Sequence, residues 1–218
     1  MKKLCIFDFD GTLFDSLTDV AKCFNKTLEI LGFEQLDLDS YIKSVGGNIY
    51  EITKLILKDK STPENIESVK NTYEKIYHED LKENTHLFDG MLDVLEQLQE
   101  EGMLLAINSN RSSDSIRYFV DKYASNINFI DIQGPIPTKT SKPDPYGVNI
   151  IIEKANVTKE ETLYIGDSIT DIQTAKNAGI DCILVTWGYG VDDVYENEYP
   201  IAIVENKDEL LKSIKKNL

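Results

Sequence analysis

Short, wholly apolar runs alternate along this chain with longer stretches in which apolar residues recur every three or four positions. The runs Leu4 to Phe7, Met103 to Ile107, Thr162 to Ile165, Cys182 to Val185 and Ile201 to Val204 have the length and continuity of strands buried on both faces. Phe129 to Ile132 is a weaker candidate of the same kind. Between them lie helical patterns. Met91 to Glu101 stops at Gly102, Ser113 to Tyr123 gathers Ile116, Val120 and Tyr123 on one face, and Pro145 to Ala155 does the same with Val148, Ile151, Ile152 and Ala155. Asp171 to Ala178 ends at Gly179. From residue 103 onward this alternation predicts an α/β fold with a doubly wound, mainly parallel sheet.

One stretch breaks the alternation. From Ser16 to about Asn84 the pattern is helical throughout. Leu17, Val20, Phe24, Leu28 and Leu31 repeat at helical spacing before Gly32. Ile49 to Leu57 is a shorter helix, and Ile66, Val69, Tyr73 and Ile76 follow the cap and first turn of Thr62-Pro63. The expected organisation is a core from residues 1–15 and 85–218, interrupted after its first strand by a helical domain over 16–84. The hinges are expected near Phe14 to Leu17 and Lys82 to Leu87.

Composition narrows the partners. The 23 basic and 38 acidic residues give a formal charge of −15, which repels nucleic acid, anionic lipid and, at long range, any phosphorylated substrate. A phosphate ligand therefore needs a local cation and local amide donors. No apolar run approaches the roughly 20 residues that span a bilayer. The opening MKKLCIFDFD has too short an apolar run for a signal peptide, so a soluble cytoplasmic protein is expected, with no membrane and no nucleic-acid partner. Cys5, Cys23 and Cys182 fit no zinc spacing and read as reduced, buried thiols. His78 and His86 have no acidic or cysteine partner at ligand spacing.

Four constellations carry chemistry. Asp8-Phe9-Asp10-Gly11-Thr12 follows the first strand, at the carboxyl end where open α/β sheets bind ligands. Its two carboxylates repel one another unless a cation or a shared proton intervenes, and magnesium favours such oxygen ligands. Gly11 permits a turn that aims N–H groups at an anion. Gly166-Asp167-Ser168 with Asp171 occupies a second strand end, where Asp171 also suits a helix start. Ser109-Asn110 sits at a third strand end and offers donors to phosphate, or simple turn chemistry. Lys142-Pro143-Asp144-Pro145 presents an ammonium on a stiffened backbone, or is a surface turn. Singly, the last two read better as structure.

In order, these motifs form strand-DFDGT, helical insert, strand-SN, KPDP-helix and strand-GDSITD. That order resembles the haloacid dehalogenase superfamily across nearly the whole chain. DFDGTLFDS, KPDP, GDSITDIQTAKNAG and the later VTWGYG are most similar to its phosphoglycolate-phosphatase-like members. The resemblance implies a Rossmann-type core with a mobile helical cap. It implies a magnesium-dependent phosphatase acting on a small-molecule phosphate ester, as a monomer or homodimer. Asp8 would attack phosphorus to give an aspartyl-phosphate, and Asp10 would protonate the leaving alcohol and then activate water. Mg2+ would be held by the Asp8 carboxylate, the Asp10 carbonyl and Asp167, with Asp171 orienting its water shell. Ser109, Asn110, Gly11 and Lys142 would bind the phosphoryl group, with Lys142 also restraining Asp8.

The same resemblance leaves alternatives. Asp10 argues against dehalogenation, which protonates no alkoxide. A phosphomutase of the β-phosphoglucomutase type keeps both aspartates and stays open, although Thr12 looks more like the phosphatases. A non-catalytic phosphate-binding protein would have lost one of the charged residues. Specificity in this group depends on the cap, where Gly46-Gly47-Asn48 is either the loop that reaches the substrate or a plain turn. Arg111 replaces the lysine that often follows Ser/Thr-Asn, and is expected to meet an acidic substrate group or solvent.

Overall fold

Six parallel strands place their carboxyl ends along one edge, and the strand leading to Asp8 lies in their middle. The computed structural model describes residues 1–136 and 141–216. The sheet comprises β1 (Leu4–Phe7), β4 (Leu104–Asn108), β5 (Phe129–Gln133), β6 (Thr162–Gly166), β7 (Asp181–Val185) and β8 (Ala202–Val204), in the order β5-β4-β1-β6-β7-β8. Every neighbouring pair is parallel. Leu4 aligns with Leu104 on one side and Thr162 on the other, so the ends of β1, β4 and β6 are level.

Successive strand residues serve opposite faces, which is why the runs are apolar throughout. Cys5, Phe7, Leu105, Ile107, Leu163 and Ile165 pack under α5 (Met91–Glu100), α6 (Ser113–Tyr123) and α9 (Lys207–Lys216). Leu4, Ile6, Ala106, Tyr164, Cys182 and Leu184 pack under α7 (Tyr146–Ala155) and α8 (Ile169–Ala178). The three cysteines are free and buried. The fold matches the expected doubly wound α/β sheet. Helix α8 starts two residues before the expected Asp171, because Ser168 and Asp171 together close its first turn. The C-terminal α9 was not anticipated.

The interrupting segment is helical, as its spacing predicts: α1 (Leu17–Ile30), α2 (Leu38–Ile42), α3 (Ile49–Leu57) and α4 (Pro63–Glu79). These helices surround their own cluster, with Leu17, Val20, Phe24, Leu28, Tyr41, Ile56, Ile66 and Val69 at its centre. The two chain crossings at its base pair with each other. Strand β2 (Phe14–Asp15) runs antiparallel to β3 (His86–Leu87), with Phe14 opposite Leu87 and Asp15 opposite His86. Two-residue strands carry no periodicity, so the pattern of the sequence could not reveal them.

Asp19 secures this base. It is fully buried in the first turn of α1, where the helix dipole favours an anion. Its carboxylate accepts from the Asn84 backbone N–H at 3.0 Å, the Asn84 amide at 2.8 Å and the Thr85 hydroxyl at 2.7 Å. Burial opposes its charge, but these donors outweigh burial and hold its pKa below the ordinary carboxylate value. The stabilisation is therefore present above that ordinary value and lost as pH falls through the lowered pKa. Replacing Asp19 by alanine strands these donors and is expected to cost on the order of 3 kcal/mol, read by urea unfolding at neutral pH. A loss below about 0.5 kcal/mol would show that Asp19 does not secure the base.

Candidate active site

Two strand ends, the first turn of α8 and one loop bring the acidic residues and Lys142 together. Asp8 follows β1 and its N–H donates to the Ile165 carbonyl of β6 at 2.8 Å. Asp167 follows β6, and Asp171 stands one turn into α8. One carboxylate oxygen from each of Asp8, Asp167 and Asp171 lies within 4.8 Å of the others. All three residues are buried. Lys142, also buried, sits 2.7 Å from Asp8 Oδ1 and 2.7 Å from Asp171 Oδ1.

The surrounding donors are distributed unevenly. Asp171 Oδ2 accepts from the Asp167 N–H, the Ser168 N–H and the Ser168 hydroxyl at 3.2, 3.0 and 2.7 Å, while its Oδ1 takes the Lys142 ammonium. Asp167 accepts from the Thr12 hydroxyl at 3.1 Å and from the Tyr189 N–H at 2.7 Å. Among the described residues, Asp8 Oδ1 receives no hydrogen bond of good geometry despite the nearby ammonium. Three carboxylates against one ammonium leave excess negative charge in a buried site. Burial first, and then the neighbouring Asp171, push the Asp8 carboxyl up to about 7. Burial and the same neighbour raise Asp167 well above the carboxylate range. For Lys142 burial opposes the charge, but Asp171 and Asp8 outweigh it and keep the ammonium protonated.

A divalent cation fits this donor set. The oxygens are hard ligands, one of them is under-satisfied, and the charge excess is what such an ion would remove. Gly11 keeps room here: its φ of 84° is left-handed, and a Cβ at this position would collide with the Asp167 carboxylate.

The remaining sequence-picked residues fall into different roles. Ser109 is buried at the end of β4, and its oxygen accepts the Arg111 N–H at 3.3 Å, leaving its own proton to donate. The Asn110 side chain is used otherwise than the resemblance suggests. Its amide carbonyl accepts the Lys142 N–H at 2.8 Å, and its amide nitrogen donates to the Lys142 carbonyl at 3.3 Å. Asn110 thus fixes the loop that carries Lys142. That loop contains a cis Lys142-Pro143 peptide.

Arg111 corrects the sequence expectation more sharply. It is not solvated: its side chain is only 9% exposed. Its acidic partner is this chain's own Asp10. Nε lies 3.1 and 3.0 Å from the two Asp10 oxygens, and a terminal nitrogen donates to Oδ1 at 2.7 Å. The Ser16 hydroxyl makes a short contact to the same Oδ1.

The helical insert meets the core beside these residues. Gly46, with a left-handed φ of 107°, faces Ser168, and the Asn48 amide donates to the Ser141 hydroxyl at 3.1 Å. Asn48 and Glu51 form a capping box that starts α3, so Gly46-Gly47-Asn48 is a helix entrance pressed toward the core. A crevice of about 320 Å³ separates the two, lined by Lys43, Gly46, Gly47, Ser168 and Tyr189 among others.

Residues that motif reading did not single out complete the site. The Tyr189 hydroxyl accepts the N–H groups of Ser16 and Leu17 at 2.7 and 3.1 Å, and donates to Asp15 at 2.9 Å. It therefore caps the first helix of the insert while its backbone holds Asp167. Gly188 lies so close to Gly11 and Asp167 that a Cβ there would strike both. The VTWGYG run was the available signal, as a likeness without an assigned contact.

The site defines a class that comparison with known proteins agrees on. The haloacid dehalogenase-like hydrolase family matches residues 5–185, and the chain belongs to it. Within that family it is a phosphoglycolate-phosphatase-like member, an enzyme of the phosphatase type. It is 26% identical over 215 residues to the phosphoglycolate phosphatase of Aliivibrio fischeri, covering 96% of this chain and 95% of that one. It is 32% identical over 187 residues to the phosphoglycolate phosphatase of Aquifex aeolicus, covering 86% of each. Its fold is also that of a haloacid dehalogenase-like family hydrolase from Streptococcus pneumoniae, with a TM-score of 0.88, 22% identity and 98% of each chain covered.

The charge excess gives a direct test. Without a cation, the raised carboxyls favour the fold at acid pH, and that contribution is withdrawn as pH rises through about 7. Cation binding displaces those protons and tightens over the same range. Saturating Mg2+, at about 100 times its Kd, is expected to stabilise by about 2.7 kcal/mol, or on the order of 5–10 °C in Tm. The gain should be larger at pH 8 than at pH 5, and absent in Asp167→Ala. An equal gain in Asp167→Ala would place the cation elsewhere.

Proposed function

We propose that the enzyme is a magnesium-dependent phosphatase that hydrolyses a small phosphate monoester of the phosphoglycolate kind through an aspartyl-phosphate on Asp8. The observation that carries this reading is the Asp8 carboxylate at the end of the central strand. One oxygen is beside Lys142, and Asp167 and Asp171 stand within ligand reach. The names of the relatives support the substrate class.

Asp8, Asp167 and the Asp10 carbonyl would hold Mg2+, with Asp171 behind them. The bound cation supplies charge neutralisation for the carboxylates and the phosphoryl oxygens. Lys142 fixes the reactive oxygen of Asp8 and meets the phosphoryl charge, while Ser109 donates its free proton to a phosphoryl oxygen. Asp8 Oδ then attacks phosphorus as the ester bond breaks, and Asp10 gives a proton to the departing oxygen. In the second step Asp10 takes a proton from water, whose oxygen attacks phosphorus and releases Asp8 as carboxylate. The insert over residues 16–84 acts as a cap that excludes bulk water, with Gly46-Gly47-Asn48 facing the leaving group. The acidic surface does not oppose this, because the local cations decide the field at the site.

The chemistry is tested by two variants assayed on paired esters. Asp8→Asn is expected to lower kcat by at least about 10³-fold on every substrate while the fold is kept. Asp10→Asn should slow alkyl phosphates by about 10²-fold more than activated aryl phosphates, since good leaving groups need less proton assistance. Equal losses on both ester types would remove Asp10 from the acid role. Appreciable turnover by Asp8→Asn would remove the covalent step.

A further inference from the structure

A continuous stack of rings runs from the centre of the insert to Asp10. Phe24 and Tyr73 stack at 4.0 Å between centroids, and Tyr73 and Tyr77 at 5.5 Å. The Arg111 guanidinium follows, 5.1 Å from the Tyr77 ring on α4 and 5.3 and 5.8 Å from the core rings of Phe9 and Phe119. One terminal nitrogen donates to the Tyr77 hydroxyl in a short contact and to the Ser115 hydroxyl at 3.2 Å. Nε and the other terminal nitrogen hold both oxygens of Asp10. Arg111 thus has a partner on the insert, partners on the core and a carboxylate whose placement matters for proton transfer.

We propose that Arg111 is a positioning residue for Asp10, and that Tyr77 on the insert sets where Arg111 holds it. The proposal rests on the reading of Asp10 as acid and base given above. A planar guanidinium held between aromatic faces can shift along them but not tilt freely, so displacement of α4 is passed to the Asp10 carboxylate. A lysine at this position would offer one point charge and no fork, and would lose the two-oxygen grip. The structure thereby gives the departure from lysine at position 111 a function: docking of the insert and aim of the proton donor become one event. Misplacing a catalytic group by about 1 Å costs on the order of 10²-fold.

Arg111→Ala, Arg111→Lys and Tyr77→Phe are to be compared with the parent on an alkyl and an activated aryl phosphate, with Mg2+ saturating and folding verified by thermal unfolding. Arg111→Ala is expected to lower kcat on the alkyl ester by about 10²-fold and on the aryl ester by less than about tenfold, with KM within about twofold on both. Arg111→Lys should recover only part of the loss. Tyr77→Phe keeps the ring and removes only the hydroxyl, so it tests the link even if Arg111→Ala folds poorly. It should lower alkyl-ester kcat about three- to tenfold, with little change on the aryl ester. Equal losses on both esters, or full recovery by lysine, would overturn the positioning role. A rise in KM confined to carboxylate-bearing esters would also overturn it and make Arg111 a substrate-binding group. A parent inactive on every phosphate ester would overturn the functional reading and this inference together, whereas an active parent with unaltered variants would overturn this inference alone.

Discussion

The Lys142 ammonium, 2.7 Å from both Asp8 and Asp171, is the contact on which the site depends. Three buried carboxylates cannot all remain charged within 4.8 Å of each other without compensation. One lysine compensates in part. It leaves Asp8 with its carboxyl pushed up to about 7 and an under-satisfied oxygen. On the function proposed above, a bound cation would take up the remaining charge.

Much of the fold serves to hold that imbalance in place. The level ends of β1, β4 and β6 deliver Asp8, Ser109 and Asp167 side by side. Lys142 comes from a loop far along the chain, and Asn110 ties that loop to the end of β4 through two backbone bonds. Tyr189 joins Asp167 to the first turn of α1, while Asp19 in the same turn binds the returning chain at Asn84 and Thr85. The acidic centre and the base of the helical insert therefore share a few neighbouring residues.

The strands were legible because burial on both sheet faces leaves uninterrupted apolar runs, as in Leu4–Phe7 and Thr162–Gly166. The long helices of the insert were legible because a small helical unit needs one strongly apolar stripe per helix. The β2–β3 ribbon and the five-residue α2 were not, being too short to show a period. In the site, Asp8, Asp167, Asp171 and Lys142 could be picked because four motifs fall in one order that resembles a known family; singly, an acidic turn, a helix start or a surface lysine would account for them. Arg111 was picked, but its contact with Asp10 was not: charge type is visible in a sequence, whereas its placement between Asp10 and Tyr77 of α4 depends on the tertiary fold. Tyr189 escaped because its two functions use a hydroxyl and a backbone N–H, which no residue pattern distinguishes.

The central claim is that Asp8 is a nucleophile and not merely a metal ligand. It is tested most directly by the stereochemistry at phosphorus. A phosphorothioate monoester made chiral at phosphorus with two oxygen isotopes would be hydrolysed in water carrying the third, and the configuration of the released thiophosphate determined. Two successive in-line displacements, first by Asp8 and then by water, each invert phosphorus, so the account predicts net retention. Net inversion would mean a single direct attack by water and would contradict it.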